Sequence, residues 1–240
     1  MNCGGIVLPD RRILVVAGHY GSGKTEFCVS LARAAGKDAA IPYPKRALVD
    51  LDVVNPYFRS RQKKEMLEAE GVSVYGGIWG SGTTAELPEL SASVRAPLED
   101  EDCFTIVDLG GNDSGARILR QFSKYFTSDR HALAVVINGK RPDTSDLPGA
   151  LAHIASIEAS LGLKADLLIG NTHLLRHTDA ETVEEGAAFA AEVSAASGIP
   201  LGCVCYPSPI VGKEALSSLS SSGVPLFPLG MYMAESWQDV

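Results

Sequence analysis

The chain has 240 residues, of which 45% are hydrophobic, and it carries a formal net charge of −8. This hydrophobic content is enough to fill a core, which excludes a chain that is disordered throughout, and we expect one α/β domain over residues 1–240. The negative charge argues against broad binding to nucleic acid or to an anionic membrane. No stretch approaches 18 uninterrupted apolar residues, and five cysteines fit a reducing compartment better than a disulfide framework. We therefore expect a cytoplasmic protein.

The first predicted elements are a strand, a glycine-rich loop and a helix. Residues 12–17 form an apolar run rich in β-branched side chains, and residues 24–35 have apolar positions at helical spacing. The loop between them matches the phosphate-binding pattern G-x-x-x-x-G-K-[ST]. Its residues, with the one that follows, are Gly18, His19, Tyr20, Gly21, Ser22, Gly23, Lys24, Thr25 and Glu26. In this strand–loop–helix context the motif predicts a site for a nucleoside triphosphate.

The chemistry of such a loop assigns roles to its members. Its backbone N–H groups surround the phosphates, and the N-terminus of the helix adds the positive end of its dipole. Lys24 is expected to reach the β- and γ-phosphates, and the Thr25 hydroxyl is expected to bind Mg²⁺. All nine residues are therefore predicted to bind the nucleotide, with Lys24 also catalytic.

The rest of the chain alternates strands and helices. Apolar runs predict strands near 46–51, 72–75, 104–109, 131–138, 166–170 and 199–205, and helices near 59–70, 114–125, 145–161, 179–197 and 213–221. This order predicts a mostly parallel β-sheet with helices on both faces, a three-layer α/β/α fold. Loops at 36–45 and 76–97 interrupt the alternation, the second with a short helix near 85–94, and such loops often serve as lids or partner surfaces.

Acidic residues follow two of the predicted strands. Asp50 and Asp52 are two residues apart, so their side chains point the same way. They are either a polar strand terminus or carboxylates that serve Mg²⁺ and the attacking water. Asp108 ends another apolar strand and would hold the metal through water, while Gly110 and Gly111 behind it would let backbone N–H groups approach the γ-phosphate.

The segments GHYGSGKT (18–25), VDLD (49–52) and VDLGG (107–111) occur in an order that resembles the MinD/ParA/CobQ/CobB superfamily of deviant P-loop ATPases. The resemblance implies a SIMIBI-like P-loop NTPase fold and a Mg²⁺-dependent ATPase. It further implies that Asp52 orients or activates the water, that Asp50 supports the metal shell and that Asp108 is the Walker B acid. Gly110 and Gly111 then fall in the segment that senses the γ-phosphate.

The same resemblance places the base of the nucleotide. It implies that Asn171, at the end of the 166–170 strand, contacts adenine, and that the proline-containing segment around Pro207 flanks the base. Guanine readers use Asn-Lys-x-Asp, whose last carboxylate accepts hydrogen bonds from guanine. Here the corresponding run ends at Leu174, so ATP is expected and GTP is the less favoured ligand.

His19 stands where MinD and ParA proteins carry a second lysine that reaches the partner subunit. A histidine is mostly neutral at pH 7, which leaves three interpretations open. The chain is an ATPase switch, with a possible homodimer or an unknown protein partner. Alternatively it is an ATP-dependent ligase or phosphotransferase on a small molecule, similar to CobQ and dethiobiotin synthetase. The third interpretation is a nucleotide-binding regulatory module with little hydrolysis.

Three arginines have two interpretations each. Arg59 and Arg61 follow the acidic pair, and Arg141 follows the 131–138 strand. They are either solvated side chains or contacts to an anionic substrate, the γ-phosphate or a partner.

Two other pairs and the C-terminal residues complete the set. Cys203 and Cys205 are either two buried small hydrophobes or ligands of an iron–sulfur cluster bridging a dimer. His173 and His177 are expected at the surface, without a metal. Residues 231–240 contain no lysine or arginine, so the basic amphipathic tail that binds MinD-like proteins to membranes is not expected.

Overall fold

The computed structural model describes residues 1–39, 41–52, 63–76, 94–110 and 119–233. Its centre is an eight-stranded sheet in which all neighbouring strands are parallel. A two-stranded antiparallel hairpin, β1 (Asn2–Cys3) and β2 (Ile6–Val7), precedes it. The strands of the large sheet are β3 (Ile13–Gly18), β4 (Lys45–Asp50), β5 (Val72–Gly76), β6 (Cys103–Asp108), β7 (His131–Ile137), β8 (Leu167–Gly170), β9 (Leu201–Pro207) and β10 (Leu226–Leu229).

Helices cover both faces of this sheet. They are α1 (Lys24–Lys37), α2 (Lys64–Ala69), α3 (Leu147–Leu161), α4 (Ala180–Ser197) and α5 (Ser217–Ser221), and residues 94–99 are also helical. The hairpin, α1 and α2 pack on one face, whereas α3, α4 and residues 94–99 pack on the other. The predicted three-layer α/β/α fold is confirmed. No helix in the described ranges combines the length and the hydrophobicity that crossing a membrane requires.

The alternation of buried side chains in β3 explains the two faces. Leu14 and Val16 belong to the core beneath α1, while Ile13, Val15 and Ala17 belong to the core beneath α3, and all five are at most 2% exposed. A parallel strand covered on both faces must be apolar at every position. Each buried Val, Leu or Ile side chain of the strand contributes about 1.5–3 kcal/mol by its burial, so the strand is firmly anchored where the glycine-rich loop begins.

The two long helices on the second face have defined ends. Asp146 and Asp179 are the N-cap residues of α3 and α4, and each side chain accepts a hydrogen bond from a backbone N–H in the first turn. Gly162 (φ 67°) and Gly198 (φ 74°) end the same helices in the left-handed conformation. These caps account for the close match between the predicted and observed bounds.

The order of the strands is β10-β9-β8-β7-β3-β6-β4-β5. From β3 the chain moves outward to β4 and β5, returns to β6, and then crosses to β7 on the other side of β3. The topological switch point therefore lies at the carboxyl end of β3, where ligands bind in open parallel sheets. Because β6 separates β3 from β4, the acids after β4 are not direct sheet neighbours of the glycine-rich loop.

Some predicted elements differ from the observed ones. The hairpin and β10 were not predicted; β10 contains Pro228, which a sheet tolerates in an edge strand. The helix predicted over 213–221 is a 3₁₀ turn followed by the short α5, in a serine-rich stretch with weak helix propensity. Of the predicted helices at 59–70 and 114–125, only residues from 63 and from 119 are described, and the latter end in a 3₁₀ turn. Residues 77–93 of the predicted 76–97 loop lie outside the described residues.

Close packing between α4 and the end of β8 gives a stability test. A Cβ atom on Gly186 would lie 2.3 Å from the Cβ atom of Thr172. Helix propensity alone favours alanine over glycine by about 1 kcal/mol, but overpacking costs about 1–3 kcal/mol. We therefore expect Gly186→Ala to lower the free energy of unfolding by about 1 kcal/mol in urea denaturation. Ala188→Ser, on the exposed side of α4, is the control, and a more stable Gly186→Ala variant would contradict the contact.

Candidate functional site

The glycine-rich loop leaves β3 at Gly18 and enters α1 at Lys24. Gly21 (φ 76°) and Gly23 (φ 81°) adopt the left-handed conformation that side chains disfavour. Gly23 is also the N-cap residue of α1 and, having no side chain, it cannot accept a hydrogen bond from the N–H groups of the first turn. These N–H groups and the dipole of α1 therefore favour an anion at this position.

Lys24 and Asp52 form a buried ion pair across the width of β6. The Lys24 Nζ atom donates to Asp52 Oδ2 at 2.8 Å, and the two side chains are 6% and 4% exposed. Burial alone would lower the pKa of Lys24, but the carboxylates of Asp108 and Asp52 outweigh it and raise this pKa. The Asp52 backbone N–H donates to Asp50 Oδ1 at 3.1 Å, which holds the two acids together. The structure thus brings Lys24, Asp50 and Asp52 into one site.

Asp108 lies opposite Asp50 in the pairing of β6 with β4. Both oxygens of its carboxyl group are buried, and within the described part of the chain neither has a hydrogen-bond partner of good geometry. Burial raises the pKa of Asp108 from 3.8 to about 7; the charge of Lys24 opposes the shift, and the charges of Asp50 and Asp52 add to it. A buried carboxyl group without a partner is costly.

This arrangement fits a divalent cation. The Thr25 hydroxyl is buried at the start of α1, close enough to Asp108 to lower its pKa. Within the described ranges, no three His, Cys, Asp or Glu side chains are arranged to hold a metal by themselves. Mg²⁺ does not require such a set, since it keeps several waters and takes one or two protein ligands together with phosphate oxygens.

A pocket of about 320 Å³ opens beside the glycine-rich loop. It lies at the carboxyl ends of β8, β9 and β10, its wall is mostly apolar, and its volume is in the range of small-molecule sites. The lining residues are Tyr20, Gly21, Gly23, Lys24, Thr25, Glu26, Arg141, Asn171, His173, Leu175, Thr178, Pro207, Leu229, Met231 and Met233. The predicted base-side residues Asn171 and Pro207 therefore lie in one pocket with Lys24 and Thr25.

Asn171 braces the glycine-rich loop from below. Its side-chain Nδ2 donates to the carbonyl oxygen of Ser22 at 2.7 Å, and the residue is 1% exposed. A Cβ atom on Gly23 would lie 2.3 Å from the same nitrogen, so the third glycine of the motif is required by this contact as well as by its φ angle. The predicted contact of Asn171 with the base stays a prediction.

Arg141 and His173 lie against the outer side of the loop. Arg141 Nε donates to the carbonyl oxygen of Gly21 at 2.9 Å. The His173 ring lies near Gly23, and burial, with the charge of Arg141, lowers the pKa of His173 to about 4. His173 is not the fully exposed residue that was expected: it is half-buried, because the chain turns back over the loop after Asn171 and its Nε2 atom is buried there. His177 is exposed, as expected.

His19 is engaged within its own chain. Its Nε2 atom lies 2.8 Å from Asp143 Oδ2, and its ring meets that of His153 edge-on with 5.3 Å between the centroids. The side chain of His19 is 31% exposed. The residue in the position of the signature lysine thus already has a carboxylate partner beside the 131–138 strand.

The remaining predicted residues are distributed as follows. Gly110 is buried directly after β6, and Tyr20 is 67% exposed at the rim of the pocket. Gly111, Arg59, Arg61 and residues 234–240 lie outside the described residues.

Cys203 and Cys205 lie in the core beneath α1, with 4.0 Å between their sulfur atoms. Burial raises the pKa of Cys205 well above its usual value. At 0% and 1% exposure, neither thiol can reach a cluster shared with a second subunit, so the interpretation as small buried hydrophobes is the one that fits.

Two features of the pocket were not predicted from the sequence. His173 lies two residues after Asn171, and no local pattern in the sequence signals its place in the pocket. Met231 and Met233 follow β10, whose short apolar run with two prolines nearby was the available signal.

No known protein-family model matches the chain, and no curated protein sequence matches it. Solved structures do match. The cell division protein FtsY from Thermotoga maritima has a TM-score of 0.51 at 18% identity, over 88% of this chain and 65% of that one. The signal recognition particle 54 kDa protein from Aeropyrum pernix, in complex with GDP, has a TM-score of 0.50 at 21% identity, over 90% and 50%. FlhF complexed with GTP and Mg²⁺ has a TM-score of 0.50 at 15% identity, over 83% and 67%.

These matches establish the fold. It is the parallel α/β fold of the matched P-loop proteins; at 15–21% identity the matches show the fold alone and do not support the expected MinD/ParA family. The chain spans between half and two thirds of the length of these structures.

The unpartnered carboxyl group of Asp108 predicts a pH-dependent cost to stability. Because its pKa is about 7 in the folded protein and 3.8 otherwise, the folded state holds a proton that the unfolded state releases between these values. This group therefore destabilises the fold increasingly as the pH rises, and fully above pH 7. We expect Asp108→Asn to gain stability relative to the unmodified protein between about pH 5 and about pH 8, by ~1–3 kcal/mol.

The measurement is urea denaturation at both pH values without Mg²⁺ or nucleotide. Asp10→Asn, at an exposed position, is the control and is expected to show no such gain. A difference between Asp108→Asn and the unmodified protein that does not change with pH would contradict the role of burial.

Proposed function

We propose that the chain is a Mg²⁺-dependent nucleoside triphosphatase whose nucleotide state acts as a switch. The observation that carries the proposal is the buried Lys24–Asp52 ion pair beside the unpartnered Asp108. A lysine buried at a helix N-terminus among carboxylates is costly and adds little to the stability of the fold. Its position is explained if its ammonium group binds triphosphate oxygens that enter the loop.

In the proposed reaction, Lys24 exchanges partners. The β- and γ-phosphates compete with Asp52 for the ammonium group, and the loop N–H groups bind the same phosphates. With Lys24 turned to the phosphates, the Asp52 carboxylate is proposed to accept a hydrogen bond from a water molecule and to orient it for in-line attack. Asp50, bound to the Asp52 backbone N–H at 3.1 Å, keeps Asp52 in place.

The cation has ligands in the same group of residues. Thr25 would bind it directly and Asp108 through water, with Asp50 behind them. When bound, Mg²⁺ neutralises the charge that develops on the transferred phosphoryl group. Because the pKa of Asp108 is about 7, a bound cation would favour the ionised form of this carboxyl group.

ATP is the proposed nucleotide. The residue in the position of the guanine-reading acid is Leu174, which is 44% exposed and offers no acceptor for the guanine N1–H and amino groups. GTP is the competing substrate, because two of the matched structures hold guanine nucleotides. Turnover and dissociation constants for the two nucleotides separate these alternatives. With ATP as the substrate, we expect a preference of about tenfold or more, the discrimination of one good polar contact to a base. A preference for GTP would overturn this choice and leave the hydrolase proposal standing.

A protein partner or a second copy of the chain is proposed to respond to the nucleotide. His19 is bound to Asp143 of its own chain, which supports a mode of association that does not depend on this residue. Light scattering with ADP, and then with a non-hydrolysable ATP analogue and Mg²⁺, tests this part. A shift from monomer to dimer supports a second copy. With no shift, a rise in turnover on adding small carboxylates or amides would instead favour the ligase or phosphotransferase class.

Asp52→Asn is the sharpest test of the hydrolytic role. The variant keeps the shape of the side chain but loses the charge that orients water, so we expect turnover to fall by about 10²-fold or more. The dissociation constant for the nucleotide should not rise, because Lys24 no longer exchanges an ionic partner when the phosphates bind. The measurement combines steady-state phosphate release with titration calorimetry.

Asp10→Asn serves as the control for the loss of one surface carboxylate. Unchanged turnover in Asp52→Asn would refute the assignment of the attacking-water role. A large loss of nucleotide affinity would show instead that Asp52 supports the binding site and not the chemical step.

A further inference from the structure

Residues 230–233, which follow β10 and are called here the base-side segment, form one wall of the pocket through Met231 and Met233. Met231 has a φ angle of 55°, a left-handed backbone conformation that non-glycine residues rarely adopt. A segment in such a conformation needs contacts from other parts of the chain to hold it in place.

Glu26 and Ser30 of α1 bind both ends of the base-side segment. Glu26 Oε2 accepts a hydrogen bond from the Met233 backbone N–H at 2.8 Å. The Ser30 hydroxyl donates to Glu26 Oε1 at 3.1 Å, and its oxygen accepts from the Gly230 backbone N–H at 3.2 Å. The strained residue Met231 is thus enclosed between two backbone groups that α1 holds.

Arg33 extends the same contact along the helix. Its guanidinium carbon lies 4.3 Å from the centre of the Tyr232 ring. Glu26, Ser30 and Arg33 are spaced by four and three residues, so they form one stripe on α1. This stripe faces the base-side segment along its whole length.

Glu26 is the member of the stripe that also lines the pocket. Burial is the largest influence on its carboxyl group and raises its pKa, while the hydrogen bonds from Met233, Tyr232 and Ser30 lower it. Glu26 follows Lys24 and Thr25 directly. The first turn of α1 therefore carries the phosphate-binding groups and, one residue later, the group that holds the opposite wall.

We propose that Glu26 is the positioning residue for the nucleoside: it fixes the base-side segment so that the pocket beside the glycine-rich loop is shaped for the base and ribose. The inference rests on the proposed function, since it assigns the pocket to the nucleoside part of the same nucleotide. Glu26 acts here through Met233 and, together with Ser30, through Gly230. The phosphates are held without it, by Lys24 and the loop N–H groups.

The test separates nucleoside binding from phosphate binding. Dissociation constants for ATP, GTP and inorganic tripolyphosphate, each with Mg²⁺, are measured by calorimetry on four proteins: unmodified, Glu26→Ala, Glu26→Gln and Ser30→Ala. In Glu26→Ala we expect the preferred nucleotide to bind about tenfold more weakly or worse, the effect of losing one or two hydrogen bonds to a buried group. The affinity for tripolyphosphate should stay within about twofold or increase, because a negative charge is removed.

Rescue distinguishes positioning from a general loss of structure. Glu26→Gln keeps an acceptor for the Met233 N–H and a polar group for Ser30, so its nucleotide affinity should lie within about threefold of the unmodified protein. The nucleotide affinity of Ser30→Ala should lie between the affinities of the two Glu26 variants, since the Gly230 N–H loses its acceptor but the Met233 N–H does not. Glu192→Ala, exposed on α4, is the matched control for the removal of a glutamate.

The affinities of Glu26→Ala and Glu26→Gln decide whether Glu26 positions the nucleoside. Equal losses of nucleotide and tripolyphosphate affinity in Glu26→Ala, or no loss of either, would overturn the inference. A Glu26→Gln variant as weak as Glu26→Ala would also overturn it, because the contact geometry would then not be what matters. If the unmodified protein binds neither nucleotide nor tripolyphosphate, the proposed function itself fails, and this result is distinct from the others.

Discussion

The concentration of buried charge at the carboxyl edge of the sheet constrains the rest of the site. Among the described residues, the carboxyl groups of Asp50, Asp52 and Asp108 lie around the ammonium group of Lys24. A buried charge is tolerated only when it is paired and hydrogen-bonded. The raised pKa of Asp108 is one partial solution, because the proton neutralises the acid that has no partner. A divalent cation would complete this solution, since it would add positive charge and Asp108 would serve it as a ligand through water.

The sheet keeps these groups close together although they are distant in sequence. Asp50 and Asp108 are opposite each other because β4 and β6 pair in register, and the fully apolar strands on both sides leave little freedom to slide. Lys24 reaches Asp52 over β6 because α1 starts directly above the switch point at β3. The ion pair therefore forms although β6 separates β3, which carries the loop, from β4, which carries the acids.

The phosphate half of the site could be predicted from the sequence, and much of the base half could not. Gly18 to Thr25 are adjacent in the chain, and the left-handed angles at Gly21 and Gly23 are what the glycine spacing implies. By contrast, the contact between Glu26 and Met233 joins residues 207 positions apart. The strand that precedes Met233, β10, is short and contains Pro228, so local periodicity gives little indication of this strand or of the contact after it. The burial of His173 is likewise a consequence of how the chain turns back, and no local pattern encodes it.

The helix α1 connects these two halves, and its apolar and polar faces do different work. Phe27 and Leu31 are fully buried, so the position of the helix is set by the core and not by its polar contacts. Arg33 also binds both carboxylate oxygens of Glu70 just after α2, yet such partly exposed ion pairs contribute only about 0–1 kcal/mol. The polar stripe of α1 is therefore too weak to decide the fold. It is well placed to influence the shape of the pocket, because the segment it holds contains the strained residue Met231 between two backbone groups bound by α1.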